Sequence, residues 1–453
     1  MQKVAILGAG ITGLTAAFEL KRRGVEVVVF EASDRVGGVI QTIHENGFLV
    51  ECGPNSILDT HPNIGKLISA IGLNNQKLPA NSSAQNRFIV RNGNSIVLPS
   101  SPLSFFTSAA FSTKAKLRLL REPFIKTKSN ELESLANFVL RRLGQEFLDY
   151  AINPFVGGIY AGDPEKLSTA HAFPKLYALE QKHGSLIKGA IKGAKERKKR
   201  ADVASKDAKM FTFTDGMKVL PLRLAEKLGR AIRLNNPIAG LQRLENGCWR
   251  IGDEEYSNVV LAIPAHGMSN LNVPFDLKLF DEIYYPPVAS FSLGFKEEQF
   301  AHLLNGFGVL VPKVENRFVL GALFPSSIFP DRAPEGQVLL TVFVGGSMAS
   351  GKAFLNEKDM LKNILNDLEQ LLGLSGSPLY QRLSVSPKAI PQYVVGYETF
   401  FHHMRKIEIN YPGIHFAGHY RNGISVGNSI LAGINIADKI AKTDRNGGVR
   451  SRH

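Results

Sequence analysis

The chain has little cysteine and no cysteine pattern. Cys52 and Cys248 stand far apart among 453 residues and match no metal-ligand or redox spacing. That excludes a disulfide scaffold and a zinc module. It suits a reducing compartment, with both thiols expected as small core residues. No run of about 20 uncharged apolar residues occurs, so no transmembrane helix is expected. A first strand is expected to begin near Val4, so no signal or transit peptide is expected. Metal-cluster motifs, nucleophile motifs, internal repeats and nucleic-acid modules are absent too. What remains is an ordinary globular composition, 44% hydrophobic and 21% charged, in a chain long enough for two or three domains.

Charge is the one compositional bias. Between Lys182 and Lys209 lie ten Lys or Arg against three acids, half of the chain's net charge of +14. Such a cluster can meet an anionic membrane, an anionic substrate or nucleic acid, or be only a solvated helix face. Upstream, Pro102–Phe111 is apolar and aromatic but too short to span a bilayer. An apolar patch beside a basic one is the pattern of a peripheral membrane face. Helices are expected at Ser112–Leu120 and Asn130–Leu143, the second opened by a capping box of Asn130 with Glu133.

The most informative stretch is the first. Val-Ala-Ile-Leu precedes Gly8, Ala9, Gly10, Ile11, Thr12 and Gly13, then an amphipathic run to Arg23 and a second apolar strand ending at Glu31. Strand, glycine turn, helix and strand in this order form a dinucleotide fingerprint. Gly8 allows the turn, Gly10 lets backbone approach a pyrophosphate, and Gly13 lets helix and strand pack closely. The helix N-terminus faces the phosphates. Glu31, 18 residues after Gly13, is placed to take a ribose hydroxyl.

Downstream, Glu31-Ala32-Ser33-Asp34-Arg35-Val36-Gly37-Gly38 resembles the extended signature of flavin amine oxidases and points to FAD rather than NAD. Phe48–Ser56 then reads as a strand entering a Gly53-Pro54 turn, at a strand end where doubly wound folds meet ligands. Arg87 enters the strand-like segment Ala84–Val90. It is either a site for a carboxylate or an edge-strand charge. Arg233–Ile238 and Asn258–Pro264 read as further strands of the first domain, and Tyr284–Gly346 as a second, mixed sheet. Asn356–Leu372 is periodic as a helix. Tyr411–Gly418 is a last strand and about Asn428–Ile440 a last helix, before a polar tail expected to be disordered.

Four segments carry a closer resemblance: Pro154–Ser168, Gln85–Phe88, Ala389–Tyr393 and Gly418–Gly427 are similar to hallmark segments of the oxygen-dependent protoporphyrinogen oxidases. The resemblance implies non-covalent FAD and a six-electron oxidation of a porphyrinogen in haem biosynthesis, with O2 reduced to hydrogen peroxide. It implies an α/β architecture with a β-rich insert. A Rossmann-like FAD domain is assembled from 1–82, 210–285 and 387–441. A mixed-sheet substrate domain takes 83–98 and 286–386, a helical membrane-associating region 99–209, and the tail 442–453.

Residue by residue, it places Arg87 against a propionate carboxylate and Phe307, Leu310 and Phe343 along the macrocycle. Asn55 lies close to both substrate and flavin. The cofactor would lie along Gly8 to Gly13, Glu31, Ala32, Arg35, Gly37, Gly38, Val39, Gly53, Pro54, Asn55, Ser56, Ile238, and Ile424, Ser425 and Val426. These last precede a helix start that favours negative charge. Tyr397 and Glu398 are left out, because the register after Tyr393 is uncertain. No side chain is assigned as catalytic and none as a metal ligand. The expected partners are the porphyrinogen, O2 and the anionic inner face of the cell membrane, for a cytoplasmic, peripherally bound protein without nucleic acid. A chelatase acting next in the pathway and a second copy of the chain are further candidates. Coproporphyrinogen III is the alternative substrate. A flavin amine oxidase is the rival, although a cationic amine would sit badly beside Arg87.

Overall fold

A computed structural model describes residues 3–99, 101–197, 208–302 and 304–447. It is a mixed α/β fold with several sheets. At its centre Lys3–Leu7 is buried from Val4 to Leu7, as a parallel strand covered on both faces must be. Its five-stranded parallel sheet runs Ile232–Arg233, Glu26–Phe30, Lys3–Leu7, Asn258–Leu261, Ile414–Phe416. The strands thus come from the start, middle and end of the chain. The strand expected over Arg233–Ile238 stops at Arg233. There Asn235 turns left-handed (φ 51°), and the N–H groups of Asn235 and Asn236 bond Ser33 O and Glu31 O instead. The helix Ile11–Arg22 is buried from Ile11 to Leu20 and is crossed by the last helix, Val426–Gly447. Their contact is backbone-close, since a Cβ at Gly433 would stand 2.6 Å from Thr12 O. This helix outruns its expected end at Ile440, and residues 448–453 of the expected tail lie outside the described residues.

The second sheet has seven strands in the order Tyr380–Ser386, Val288–Lys296, Gln337–Gly345, Gly321–Leu323, Gly308–Leu310, Arg87–Arg91, Asn94–Val97. All pairs are antiparallel except Gly308–Leu310 with Arg87–Arg91. Alternation splits its faces. Phe291, Leu293, Leu340 and Val342 pack in one cluster with Met360, Ile364 and Leu368 of the helix Glu357–Leu372. That helix is capped by Asn356, whose side chain accepts the Asp359 N–H, and ended by left-handed Gly373. The opposite face takes the hairpin Thr42–Glu45 and Phe48–Glu51 at one end. Phe48 stacks on Tyr380 at 4.9 Å and fills the space over Gly294, where a Cβ would lie 2.3 Å from its ring. Both cysteines are half-buried rather than core. Cys52 borders the Phe48 cluster, and the Cys248 N–H bonds Asn246 Oδ1 in a turn.

Four helices, Thr113–Arg121, Leu135–Arg142, Pro174–His183 and Leu186–Arg197, make a helical layer, and the second of them packs Leu135, Phe138 and Val139 into one core cluster with Leu7 and Phe30 of the first sheet. The first is capped by Ser112. The second starts at Ser134, whose side chain accepts the Asn137 N–H, so the expected Asn130–Glu133 box is not formed. Asn130 instead closes a turn onto the Leu132 N–H, and Glu133 pairs with Arg141 at 2.7 Å. Leu132 is exposed, and buried apolar residues begin at Leu135, which is where a helix gains by packing.

Fully buried charges join this layer. Arg142 Nη1 lies 3.2 Å from Glu122 Oε1, and its Nε binds Glu180 Oε1, which also takes Arg141 Nη1 at 2.8 Å. Glu122 in turn accepts the Leu186 N–H at 2.9 Å, at the start of the last of the four helices. Burial pushes the Glu180 carboxyl up, but hydrogen bonds from Arg141, Ser129 and Arg142 overcome this and hold it down at about 2. The Glu180 contribution is therefore present above pH 4.5 and fades as pH falls toward 2. Glu180→Leu leaves buried Arg142 with the Glu122 carboxylate and the Ile125 and Thr127 carbonyls but without its second carboxylate, and denaturant titration at pH 7 should show a loss of about 3 kcal/mol.

Candidate active site

The three fingerprint glycines do different jobs. A Cβ at Gly13 would stand 2.1 Å from Gly8 O, and one at Gly8, with φ 103°, would stand 2.9 Å from Ala262 O. These two allow helix and strand to pack. A Cβ at Gly10 would meet nothing within 4 Å. Gly10 is the extended N-cap of the helix, and no side chain caps that end. Open space beside an uncapped helix start suits a phosphate. Ala9 lies buried behind the turn, and Ile11 and Thr12 open the helix.

The second glycine pair closes onto the first. The Gly37 N–H donates to Ala9 O at 2.9 Å, and a Cβ at Gly38 would lie 3.5 Å from Gly10 Cα. Val39 follows, 64% exposed for an apolar side chain. A Cβ at Gly53 would be 2.1 Å from Val39 O, so Gly53 runs directly against this segment, with Pro54, Asn55 and Ser56 next in the chain. Asn55 Nδ2 donates to Gly53 O at 3.3 Å.

Glu31 has a structural role not evident from spacing. Its Oε2 accepts the Ala9 N–H at 2.7 Å, and its Oε1 accepts the Ser33 N–H at 3.0 Å and hydroxyl at 2.8 Å. It braces the loop, with capacity at Oε2 for one hydroxyl. Ala32 and Arg35 are exposed beside it, and Ile238 is half-buried just past Asn235 and Asn236. Further on, Tyr393 Oη donates to His419 O at 2.5 Å and accepts the Gly423 N–H at 3.0 Å, while Tyr397 Oη donates to Tyr420 O at 2.6 Å. Tyr393 and Tyr397 are thus core braces of the turn that leads to Ile424, exposed Ser425 and Val426. Burial holds His419 neutral, with its imidazole pushed down to about 4.

The second sheet brings the other candidates together on its face opposite Glu357–Leu372. Leu310 pairs with Gly321, and Gly321 with Phe343. The two side chains therefore stand two strands apart, about 10 Å, with no side chain between them. Gly308 pairs with Arg87 on the same face. The exposed Arg87 guanidinium lies over the Phe307 ring, 5.2 Å from its centroid, a cation–π contact. The strand Arg87–Arg91 is paired on both sides, so Arg87 is no edge-strand charge. Among the described residues no group of His, Cys, Asp or Glu could hold a metal ion.

An open, glycine-lined helix start, with a sheet face that carries Leu310, Phe343 and Arg87, agrees with the class that the chain's similarities to known proteins give, a flavoprotein oxidoreductase. The chain belongs to the flavin containing amine oxidoreductase family, which matches residues 11–441, and within it to the protoporphyrinogen and coproporphyrinogen oxidases. It is 36% identical to protoporphyrinogen oxidase 2 of Arabidopsis thaliana, over 97% of this chain and 94% of that one. It is 29% identical to coproporphyrinogen III oxidase of Bacillus subtilis, over 95% and 96%. A solved structure from Exiguobacterium sp. 255-15, provisionally assigned as a protoporphyrinogen oxidase, superposes with a TM-score of 0.80 at 25% identity, over 97% and 98%. The family takes a flavin, and the open cradle at Gly10 fits one.

Sequence reasoning missed Glu51, a buried carboxyl two residues before Gly53. It accepts the Met217 N–H at 2.7 Å and the Thr42 hydroxyl at 2.7 Å, and so ties the hairpin to the start of the helix Val219–Leu228, whose Pro221 packs on Gly37. Burial raises its carboxyl to about 7, against the pull of those two hydrogen bonds and of Arg332. The folded state then holds the proton longer than the unfolded chain, so stability falls as pH rises from 4.5 to about 7. Glu51→Gln should flatten this slope, read as melting temperature at intervals from pH 5 to 8. An unchanged slope would show that Glu51 ionises normally.

Proposed function

We propose that the protein oxidises protoporphyrinogen IX to protoporphyrin IX in haem biosynthesis, with FAD held non-covalently. The carrying observation is the one sheet face that unites Arg87, Leu310 and Phe343, with the Phe307 ring against the Arg87 guanidinium. When bound, FAD would supply a two-electron oxidation, and three such rounds, each reducing one O2 to hydrogen peroxide, remove the six electrons and six hydrogens of the porphyrinogen. The chain's residues bind and orient. Gly10 and the helix start at Ile11 hold the pyrophosphate, Glu31 a ribose hydroxyl, and Arg35, Gly37, Gly38 and Val39 the continuing cofactor. Gly53 to Ser56 and Ile424 to Val426 border the ring. Leu310 and Phe343 grip the macrocycle, and Arg87, steadied by Phe307, takes a carboxylate. Removing hydrogen from a carbon in this setting requires position and the exclusion of water rather than an acid–base side chain. The domain assembly that goes with this is a three-piece nucleotide domain, a mixed-sheet substrate domain and a helical domain at 99–209. Coproporphyrinogen III is the second reading, favoured by the Bacillus subtilis relative.

A charged hydrogen bond is worth roughly 1.5–3 kcal/mol, so Arg87→Ala should raise KM about 10- to 150-fold and leave bound FAD unchanged. Lysine should rescue only part, because it lacks the planar fork. Wild-type kinetics in the alanine variant on both porphyrinogens would remove Arg87 from the site.

We also infer peripheral attachment to an anionic membrane. No described helix is long and apolar enough to cross one. Within Pro102–Phe111, Phe105 and Phe111 pack on Phe147, and among the described side chains of that stretch Phe106 is the exposed large apolar one. The exposed apolar stripe is instead Leu117, Leu120 and Phe124 with Ile191, flanked by Arg118, Arg121 and Lys188. Residues 198–207 of the basic cluster lie outside the described residues. Phe124→Asp with Leu120→Asp should abolish flotation on anionic vesicles, and salt should weaken it in the wild type. Flotation indifferent to both would refute the assignment.

A further inference from the structure

The second sheet ends in two unlike edges. One is Asn94–Val97, four residues long. Ile96 of that strand packs with the Phe111 cluster, and the Ser95 hydroxyl donates to Leu371 O at 3.1 Å. The other edge is Tyr380–Ser386, seven residues with Val288–Lys296 on its inner side. Among the described residues no strand pairs with its outer side. A row of unpaired N–H and C=O groups is a template for another strand, and proteins blunt such edges with short length, charge, proline or a bulge. Here the pairing with Val288–Lys296 runs unbroken along the strand, so there is no bulge. Proline stands only outside it, at Pro378 and Pro387, and bounds the segment that can pair. The one charged residue, Arg382, is already paired with Glu45 Oε2 at 3.0 Å.

This edge is complementary to itself. Gln381 pairs with Leu293, Leu383 with Phe291 and Val385 with Ala289, so these three stand on the sheet face that packs on Glu357–Leu372. Leu383 is half-buried against the same core as Leu361 and Leu365 of that helix. Val385 is 43% exposed and Leu379, just before the strand, 54%. We infer that a second copy of the chain pairs with this edge, antiparallel, Tyr380–Ser386 on Tyr380–Ser386, about a two-fold axis at Leu383. All seven residues then overlap. Leu383 lies opposite its own counterpart, Val385 opposite Gln381, and Arg382 opposite Ser384. No like charges meet, and Leu383 and Val385 gain cover. Such a contact closes at two copies, and the short, covered edge at Asn94–Val97 does not carry it further. The axis stands perpendicular to the sheet, so the faces that carry Arg87 point the same way in both copies.

The test is sedimentation velocity of the full, FAD-loaded chain across a range of concentrations. The wild type should show a concentration-dependent dimer. Gln381→Arg with Val385→Arg sets two pairs of like charges opposite each other and should weaken association roughly tenfold. Gln381→Glu with Val385→Arg makes the same two pairs attractive and should bring association back to the wild-type level or beyond. Within one copy the two positions are about 13 Å apart along an extended strand, too far to interact. Both side chains are exposed, so melting temperature and flavin absorbance should stay as in the wild type. A wild type that remains monomeric at every concentration overturns the inference. So does a dimer that holds equally well in both variants, as one formed through the apolar stripe of Leu117, Leu120 and Phe124 would.

Discussion

There is no room for a side chain at residue 13. With Gly8 O 2.1 Å from where its Cβ would be, the helix Ile11–Arg22 can lie directly on the turn that precedes it. That approach fixes where the helix begins, which fixes which N–H groups stay unpaired. Glu31 then holds the loop by taking the Ala9 N–H, and the Gly37 N–H closes on Ala9 O. The two glycine segments, far apart in role as a motif is usually read, form one surface. Gly10 is the part of that surface left open.

The second sheet supplies what the first lacks. A parallel sheet buried on both faces offers ligands only its ends. An antiparallel or mixed sheet can leave a face uncovered, and here that face alternates with the one under Glu357–Leu372. The pleat alone puts Leu310 and Phe343 on the same side as Arg87. Glycine at 321 leaves the gap between them, and the hairpin Thr42–Glu51 links this face to the glycine segments through Glu51 and Gly53. Position is thus set by backbone pairing rather than by mobile loops, which suits a reaction whose protein component is orientation.

Much of this was legible in the chain. The first strand, its glycines and Glu31 follow one local pattern, and local patterns survive folding. The helix from Asn356 and the last strand near Ile414 were readable for the same reason. Arg87 was not legible from its neighbours alone, because a strand's place inside a sheet depends on partners more than 200 residues away. The Asn130–Glu133 box failed because burial starts at Leu135, and Glu133 had a better partner in Arg141. The buried Arg142–Glu180 pair and Glu51 were invisible, since no periodicity announces a charge that is buried by tertiary contacts. Glu31 as a brace was missed for that reason too: it takes the Ala9 and Ser33 N–H groups, and sequence does not distinguish backbone groups.

The most direct test of the account is to give the purified protein, reconstituted with FAD, protoporphyrinogen IX, coproporphyrinogen III and a primary amine in parallel, in air, against flavin-free controls for spontaneous oxidation. Porphyrin fluorescence and peroxide should rise together with a porphyrinogen, well above the control, and neither should rise with the amine. Peroxide from the amine, with porphyrin formation no faster than in the control, would contradict it.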